Sequence, residues 1–345
     1  MREEIYLETF GYRLRVNGGL FHIAVPDEEN LGGPEIEAEY APHQLEAIML
    51  GENGGSISIK AILLAIRNDV GIYLTDNLGN VIGQFNRAEP TTSVLVQKAQ
   101  FQLIGSPDSL DFVKAWLGKK FRRKMDFFQK VARRRSGDAA QLLREACIIL
   151  EGCNKGLQAV DTTRTGEAVK SIRGFEGSGA RTYWGTLSQI LPPAYRFRDR
   201  SRQPSRDLFN AAVNYSYAIL YRKVENELLK AGINTYASFL HSMERGGKAM
   251  VWDFIEPYRI WVDELVYLLC NGKRITHAHV NTHEGGVWLN KKGKTIVARS
   301  FHALFAKNPN PINYRQETLA QSMRNDAKAF AQALLGFDQR KRRAA

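Results

Sequence analysis

The sequence is poor in the features that export a protein or hold it in a membrane. Three cysteines occur, Cys147, Cys153 and Cys270, each beside apolar residues. Three thiols cannot make a full disulfide set, so they are expected as reduced core residues of a cytoplasmic protein. No apolar run approaches the ~18–20 unbroken residues that a membrane helix needs. The opening segment MREEIYLETF lacks the apolar core of a secretory signal. No internal repeat and no low-complexity tract interrupts the chain.

Acid is scarce relative to base. Asp+Glu 36 against Lys+Arg 48 leaves a net charge of +12. A surplus of that size favours polyanions, chiefly nucleic acid or an anionic membrane face. The basic residues cluster at KKFRRK (119–124), RRR (133–135), RFRDRSRQPSR (196–206) and RKRR (340–343). The ordinary reading of such a cluster is a solvated helix face or a loose chain end, and RKRR is read so. Segment 196–206 reads differently. It follows Pro192-Pro193, which implies a loop, and it carries Arg196, Arg198, Arg200, Arg202 and Arg206 with Tyr195 and Phe197 interleaved. Guanidinium forks bind phosphate and aromatic rings stack on bases, so a strand-gripping loop is expected.

The 345 residues suggest about two domains. The pattern predicts an α+β chain. An N-terminal β-rich, sandwich-like domain with one helix covers 1–87, and a linker, 88–92, follows. A larger all-α domain covers 93–339, and a basic tail, 340–345, ends the chain. IYLETF reads as an opening strand, and RLRV-NGG-LFHIAV as a hairpin in which Asn17-Gly18 supplies the positive φ angles of a tight turn. EIEAEY and QLEAIML read as further strands. SISIKAILLAIRN has helical spacing with Ser56 or Ser58 as N-cap, and GIYLTDNLGNVIGQF returns to a hairpin over 76–79. Beyond the linker, apolar residues recur every three or four positions through most of the chain. GGVWLNKKGKTIV is read as a possible short hairpin.

One stretch of this helical region, FLHSMERGGKAMVWDFIEPYR (239–259), combines chemistry with burial. Asp253 and Glu256 lie three residues apart among apolar neighbours, so both are expected on one helix face at the edge of a buried surface. Two carboxylates in low dielectric repel unless a cation or a proton relieves them. Arg259 is one answer and a divalent metal is another, with His241 folding back to give a nitrogen. A third carboxylate, Glu176, sits in GFEGSGARTYWGTLSQILPP. Gly174, Gly177 and Gly179 flank it and permit close backbone approach, and a helix is expected to start beside it. Spacing alone leaves two readings open: polar residues satisfied locally on a buried helix, or a metal site. His277, His279 and His283, in HAHVNTH, have no cysteine nearby and are read as a surface loop rather than a zinc site.

Taken in order, GFEGSGARTYWGTL, RFRDRSRQPSRDLFNAAVNYSYAIL, AGINTYASFLH, MVWDFIEPYR, THEGGVWLNKKGK and NDAKAFAQALLG resemble the CRISPR-associated integrase of spacer acquisition, the Cas one family. EAEYAPHQLEAIMLGENGGSISIKAILLAIRNDVGIYLTDNLGNVIG is similar to that family's sheet-plus-helix. Two departures are visible: Ser238 stands where the family has glycine before Phe-Leu-His, and NYSY replaces a more glycine-rich version. The helical stretch around 120–160 is longer than the family's, which leaves partner contacts there open.

The resemblance implies metal ligands at Glu176, His241 and Glu256, with Asp253 lining the same catalytic site and Mg2+ or Mn2+ as the ion. It implies insertion of short DNA pieces into a CRISPR array by attack of a 3′-hydroxyl on a phosphodiester. It further implies double-stranded DNA as substrate (prespacer and CRISPR repeat), a homodimer built through the β-rich domain, a small ferredoxin-like second adaptation Cas protein as partner, and no membrane. Arg181 and Arg259 are candidates to orient a carboxylate or a phosphate, and Tyr215 and Tyr217 to touch DNA. Two rivals share these features: a stand-alone branched-DNA nuclease, and a non-catalytic DNA-binding architectural protein.

Overall fold

The computed structural model describes residues 3–26, 35–52, 54–68, 70–75, 81–85, 92–241, 247–283, 285–307 and 318–344. The chain forms two compact units, Met1–Val94 and Leu95–Ala345. The expected turn at 76–79 and most of the expected linker lie outside the described residues.

The first unit holds eight described strands: β1 (Glu3–Leu7), β2 (Arg13–Asn17), β3 (Leu20–Val25), β4 (Ile36–Tyr40), β5 (Leu45–Gly51), β6 (Ser56–Ile57), β7 (Gly71–Thr75) and β8 (Val81–Phe85). They form two four-stranded sheets, ordered β1-β5-β7-β8 and β4-β3-β2-β6. Alternation drives the pairing. Leu14, Phe21 and Ile23 point inward from β2 and β3, while Arg13 and Arg15 point out. The hairpin closes with Asn17 opposite Leu20, so the turn residues at positive φ are Gly18 and Gly19. The turn is thus shifted by one residue from the Asn17-Gly18 expectation, because both central positions of this tight turn need positive φ and glycine supplies both. Helix α1 (Ile59–Arg67) is capped by Ser58, whose Oγ accepts from Ala61 N at 3.2 Å, and Ala61 and Ala65 enter the core with Leu45, Ile48 and Ile72.

The second unit is helical: α2 (Thr92–Leu103, which enters from the end of the first unit), α3 (Pro107–Ala132), α4 (Gly137–Gln158), α5 (Thr165–Ile190), α6 (Leu208–Lys230), α7 (Ala249–Phe254), α8 (Arg259–Asn271), α9 (Lys291–Lys307) and α10 (Leu319–Ala344). It is not wholly α. Val280–His283 (β9) and Gly286–Leu289 (β10) pair as an antiparallel hairpin, while KKGKTIV starts α9. The basic RKRR stretch lies within the last turns of α10 rather than in a separate tail.

An aromatic cluster arranges the parts that matter for function. Trp116 on α3 stacks on Phe239 at 6.3 Å between ring centroids and meets Phe254 edge-on at 5.5 Å and Phe330 of α10 at 5.1 Å. Burial of each such ring is worth roughly 1.5–3 kcal/mol. Phe239 lies two residues before His241, Phe254 two before Glu256, and Trp116 one turn before Lys120. The cluster therefore brings those three segments together.

Candidate active site

Glu176 occupies the middle of α5, since the helix expected to start beside it begins at Thr165. Of its three neighbouring glycines only Gly179 serves close approach. A Cβ there would come within 2.2 Å of Phe121, whereas one at Gly174 meets nothing within 4 Å and one at Gly177 only the Arg181 guanidinium at 4.0 Å. Gly179 thus lets α3 lie against α5, and Lys120, next to Phe121, reaches Glu176.

Lys120 Nζ lies 2.8 Å from Glu176 Oε1 and 2.5 Å from Glu256 Oε2. Glu256 begins the short turn after α7 and is buried. Its other oxygen accepts from Arg259 Nε at 2.8 Å. Burial would raise the Glu256 carboxyl pKa, but the charges of Arg259 and Lys120 outweigh it and hold the group well below the usual carboxylate range. Burial likewise acts to lower the Lys120 pKa, and the Glu256 and Glu176 charges reverse that and raise it. Arg259 is raised too: its own burial lowers it, and Glu256 overcomes this.

Asp253 does not share this cation. Its Oδ2 accepts from Phe239 N at 2.7 Å and Leu240 N at 2.9 Å, and its Oδ1 accepts from His241 N at 3.2 Å. The same Oδ1 lies 2.6 Å from His241 Nδ1. Asp253, whose side chain is 0% exposed, therefore holds the histidine segment and leaves no oxygen free for another ligand. The spacing predicts one helix face for Asp253 and Glu256, but each acid has its own partners, because α7 ends at Phe254 and the following tighter turn separates them; Asp253 meets the candidate site through His241. Arg173, one turn before Glu176, donates to the Leu240 carbonyl at 2.7 Å and fastens the histidine segment to α5.

Among the described residues no three His, Cys, Asp or Glu side chains stand together at ligating spacing. The glutamates meet on Lys120, and His241 is held by Asp253. The donor chemistry nevertheless fits a hard divalent ion. With Nδ1 committed to Asp253, His241 has Nε2 left to ligate, on a side chain 36% exposed. Among the described residues Glu256 Oε2 has no partner besides the Lys120 ammonium. Two carboxylates already converge on one cation.

The candidate DNA-contacting residues divide. Arg181, Arg196, Arg198, Arg202 and Arg206 are exposed. Arg200 turns inward, donating to Asn210 Oδ1 at 2.7 Å and Asn214 Oδ1 at 2.6 Å, with its guanidinium 5.3 Å from the Trp184 ring. Tyr195 and Phe197 are not free to stack on bases. Tyr195 donates to the Ile275 carbonyl at 2.7 Å, and Phe197 stacks on Phe209 at 4.8 Å inside the core. Arg259 serves Glu256. Tyr215 is half-buried on α6, and Tyr217 donates to Asp263 Oδ1 at 2.5 Å. In the HAHVNTH stretch, His279 Nδ1 accepts from Thr276 N at 2.9 Å, and His283 stacks on Trp288.

Sequence reasoning missed Lys120, Arg123 and Lys124. The KKFRRK cluster suggested a solvated face, yet all three are buried. The signal was there: Val113, Trp116, Leu117, Lys120, Phe121, Lys124, Phe127 and Phe128 follow the three-four spacing of one helix face.

A sequence model of the family described as CRISPR associated protein Cas1 matches residues 5–303. The chain belongs to the Cas1 family. A curated relative from Thermus thermophilus, named CRISPR-associated endonuclease Cas1 1, is 27% identical over 337 residues, covering 96% of each chain. Among solved structures, a casposase bound to integration product has a TM-score of 0.67 at 20% identity, covering 97% of this chain and 96% of that one. A chain of a partial Cas6-RT-Cas1–Cas2 complex has a TM-score of 0.68 at 18% identity, covering 97% and 96%. These two share the Cas1-family fold seen here, a strand-rich N-terminal unit followed by a helical one. No described helix is long and apolar enough to cross a membrane.

Proposed function

We propose that this Cas1-family chain is a divalent-metal-dependent DNA integrase and endonuclease that inserts short DNA spacers into a CRISPR array. The observation that carries the reading is the convergence of Glu176 and Glu256 on a single cation, with His241 anchored through Nδ1 on the segment tied to the same helix. The relative's designation as an endonuclease and the integration product held by the casposase support it.

The oxygen of an incoming 3′-hydroxyl forms a bond to phosphorus at the repeat boundary, and the bond from that phosphorus to the repeat strand's 3′-oxygen breaks. The departing oxygen gains a proton and the attacking hydroxyl loses one. One phosphodiester replaces another, so no ATP is consumed. Glu176, Glu256 and His241 Nε2 would hold Mg2+ or Mn2+, which when bound neutralises charge on the non-bridging oxygens and eases deprotonation of the hydroxyl. Asp253 keeps the imidazole turned, and Arg259 keeps Glu256 ionised. The exposed arginines of 196–206, with Arg181, grip the duplex through its phosphates.

The helical unit carries all these residues, and the β-rich unit is assigned to dimerisation. Its outer strands present Ile36 and Ile82, 60% and 64% exposed, as apolar surface in need of cover. Only a 39.0 kDa species in light scattering would end the dimer assignment. The second partner is a small ferredoxin-like adaptation protein, in line with the Cas1–Cas2 assembly that shares this fold.

The deciding experiment supplies a prespacer with free 3′ ends and a supercoiled repeat plasmid, with Mg2+, Mn2+ or chelator. Metal-dependent, covalently joined products are expected. Cutting without joining would make the protein a branched-DNA nuclease, and binding with neither would make it architectural.

A further inference from the structure

The cation between Glu176 and Glu256 is one of the protein's own. Lys120 lies on the apolar face of α3, with Trp116, Leu117 and Phe121 around it, and its side chain is 7% exposed. An ammonium buried there is tolerated only if opposite charges compensate it. Glu176 at 2.8 Å and Glu256 at 2.5 Å do so. The relation is mutual, since the buried Glu256 and the partly exposed Glu176 would otherwise repel each other.

A divalent ion placed between the same two carboxylates would have to replace the ammonium. Its oxygen ligands would stand at about 2.0–2.1 Å, inside the present ion-pair distances. Two cations that close, in surroundings of low dielectric, repel strongly. Among the described residues the Glu256 oxygen facing Lys120 has no partner besides that ammonium, so nothing else ties it to this arrangement.

We propose that Lys120 is the resident counter-ion of this site. Its ammonium holds Glu176 and Glu256 together in the metal-free protein and leaves them when a divalent ion binds, so that metal loading is a cation exchange. This rests on the metal reading given under Proposed function. The exchange keeps the two glutamates gathered without metal, at the cost of weaker metal binding, because every ion must displace a bound charge.

Calorimetric titration of the full chain with Mn2+ tests it, using wild type, Lys120→Met and Lys120→Gln. Folded variants should bind Mn2+ at least tenfold more tightly than wild type, because the ion no longer has to displace the ammonium that lies against both carboxylates. Their melting temperature should start lower without metal and rise further when Mn2+ is added. Equal or weaker Mn2+ binding by a folded variant would overturn the exchange and assign Lys120 a purely supporting role. Should neither variant fold, nitrogen-15 NMR of the wild-type lysine side chains decides. The protected Lys120 ammonium signal should shift or disappear on saturation with Mg2+, and a signal that stays put overturns the proposal. A wild-type chain that binds no Mn2+ at all would overturn the metal reading itself and the exchange with it.

Discussion

KKFRRK on α3 and RFRDRSRQPSR before α6 look alike as strings of base, yet the fold treats them in opposite ways. On α3, Lys120, Arg123 and Lys124 are buried. They lie against Glu176 and Glu256, the Tyr258 and Trp261 rings, and the Tyr183 ring respectively. In the loop, Arg196, Arg198, Arg202 and Arg206 face solvent and only Arg200 turns in. Charge count does not separate the two stretches; periodicity does. A helix whose apolar residues recur every three or four positions drags inward whatever occupies that face, and the buried bases then need carboxylates or rings. A loop opened by two prolines has no such face, and four of its five guanidinium groups stay exposed. The buried set is thus expected to govern chemistry and stability, and the exposed set affinity for DNA.

The largest effect that sharpens this contrast is catalytic. Glu176→Gln and His241→Ala should each lower strand transfer on the order of a thousandfold, since several kcal/mol of charge stabilisation are lost at about 1.4 kcal/mol per decade. Duplex affinity in a gel-shift titration should stay near wild type. Parallel loss of affinity would show that the carboxylate region and the basic surface are not separate.

Glu256→Ala should cost about 3–5 kcal/mol of stability in urea unfolding, because it leaves Arg259 without its carboxylate and the buried Lys120 with Glu176 alone. Glu256→Gln, which keeps an acceptor for Arg259, should cost less. Equal losses would mean that the ion pairs contribute little.

Lys124 offers a pH test. Burial, and then the charge of Lys120, push its pKa down to about 7. The unfolded chain keeps that proton up to about pH 10.4. Between these values unfolding takes up a proton, so stability rises with pH. The stability of Lys124→Met relative to wild type should therefore fall by roughly 2 kcal/mol between pH 7 and pH 9, at up to about 1.4 kcal/mol per pH unit. Curves that run parallel across this window would mean that Lys124 stays charged when folded.

The smallest stability effect belongs to the loop. Replacing Arg196, Arg198 and Arg202 together by alanine should leave unfolding within about 0.5 kcal/mol. It should flatten the slope of log affinity against log salt by roughly two to three units. An unchanged slope would turn this loop away from DNA.

Much of the architecture was legible in the residues. Alternation marked the strands, Ser56 or Ser58 marked the start of α1, with Ser58 the one used, and the run of motifs from Glu176 to Glu256 marked the family. What was illegible had a common cause. Tyr195 and Phe197 sit in a loop rich in arginine, and nothing local shows that Phe209 and Ile275 lie ready to receive them. Asp253 and Glu256 share a spacing that suits one helix face, and only the change of helix type after Phe254 sends them to different partners.

The sequence by itself determined the periodicities, and hence which faces seek burial; the glycines that permit positive φ or close approach; and the chemical types of Glu176, His241 and Glu256. Those are local properties of the chain. The tertiary structure alone decided that α3 lies against α5 through Gly179, and that its ammonium therefore joins two glutamates 56 and 136 positions away in the chain. Such a contact depends on how several amphipathic faces satisfy one another at once, and packing of that order is not written in any single stretch of residues.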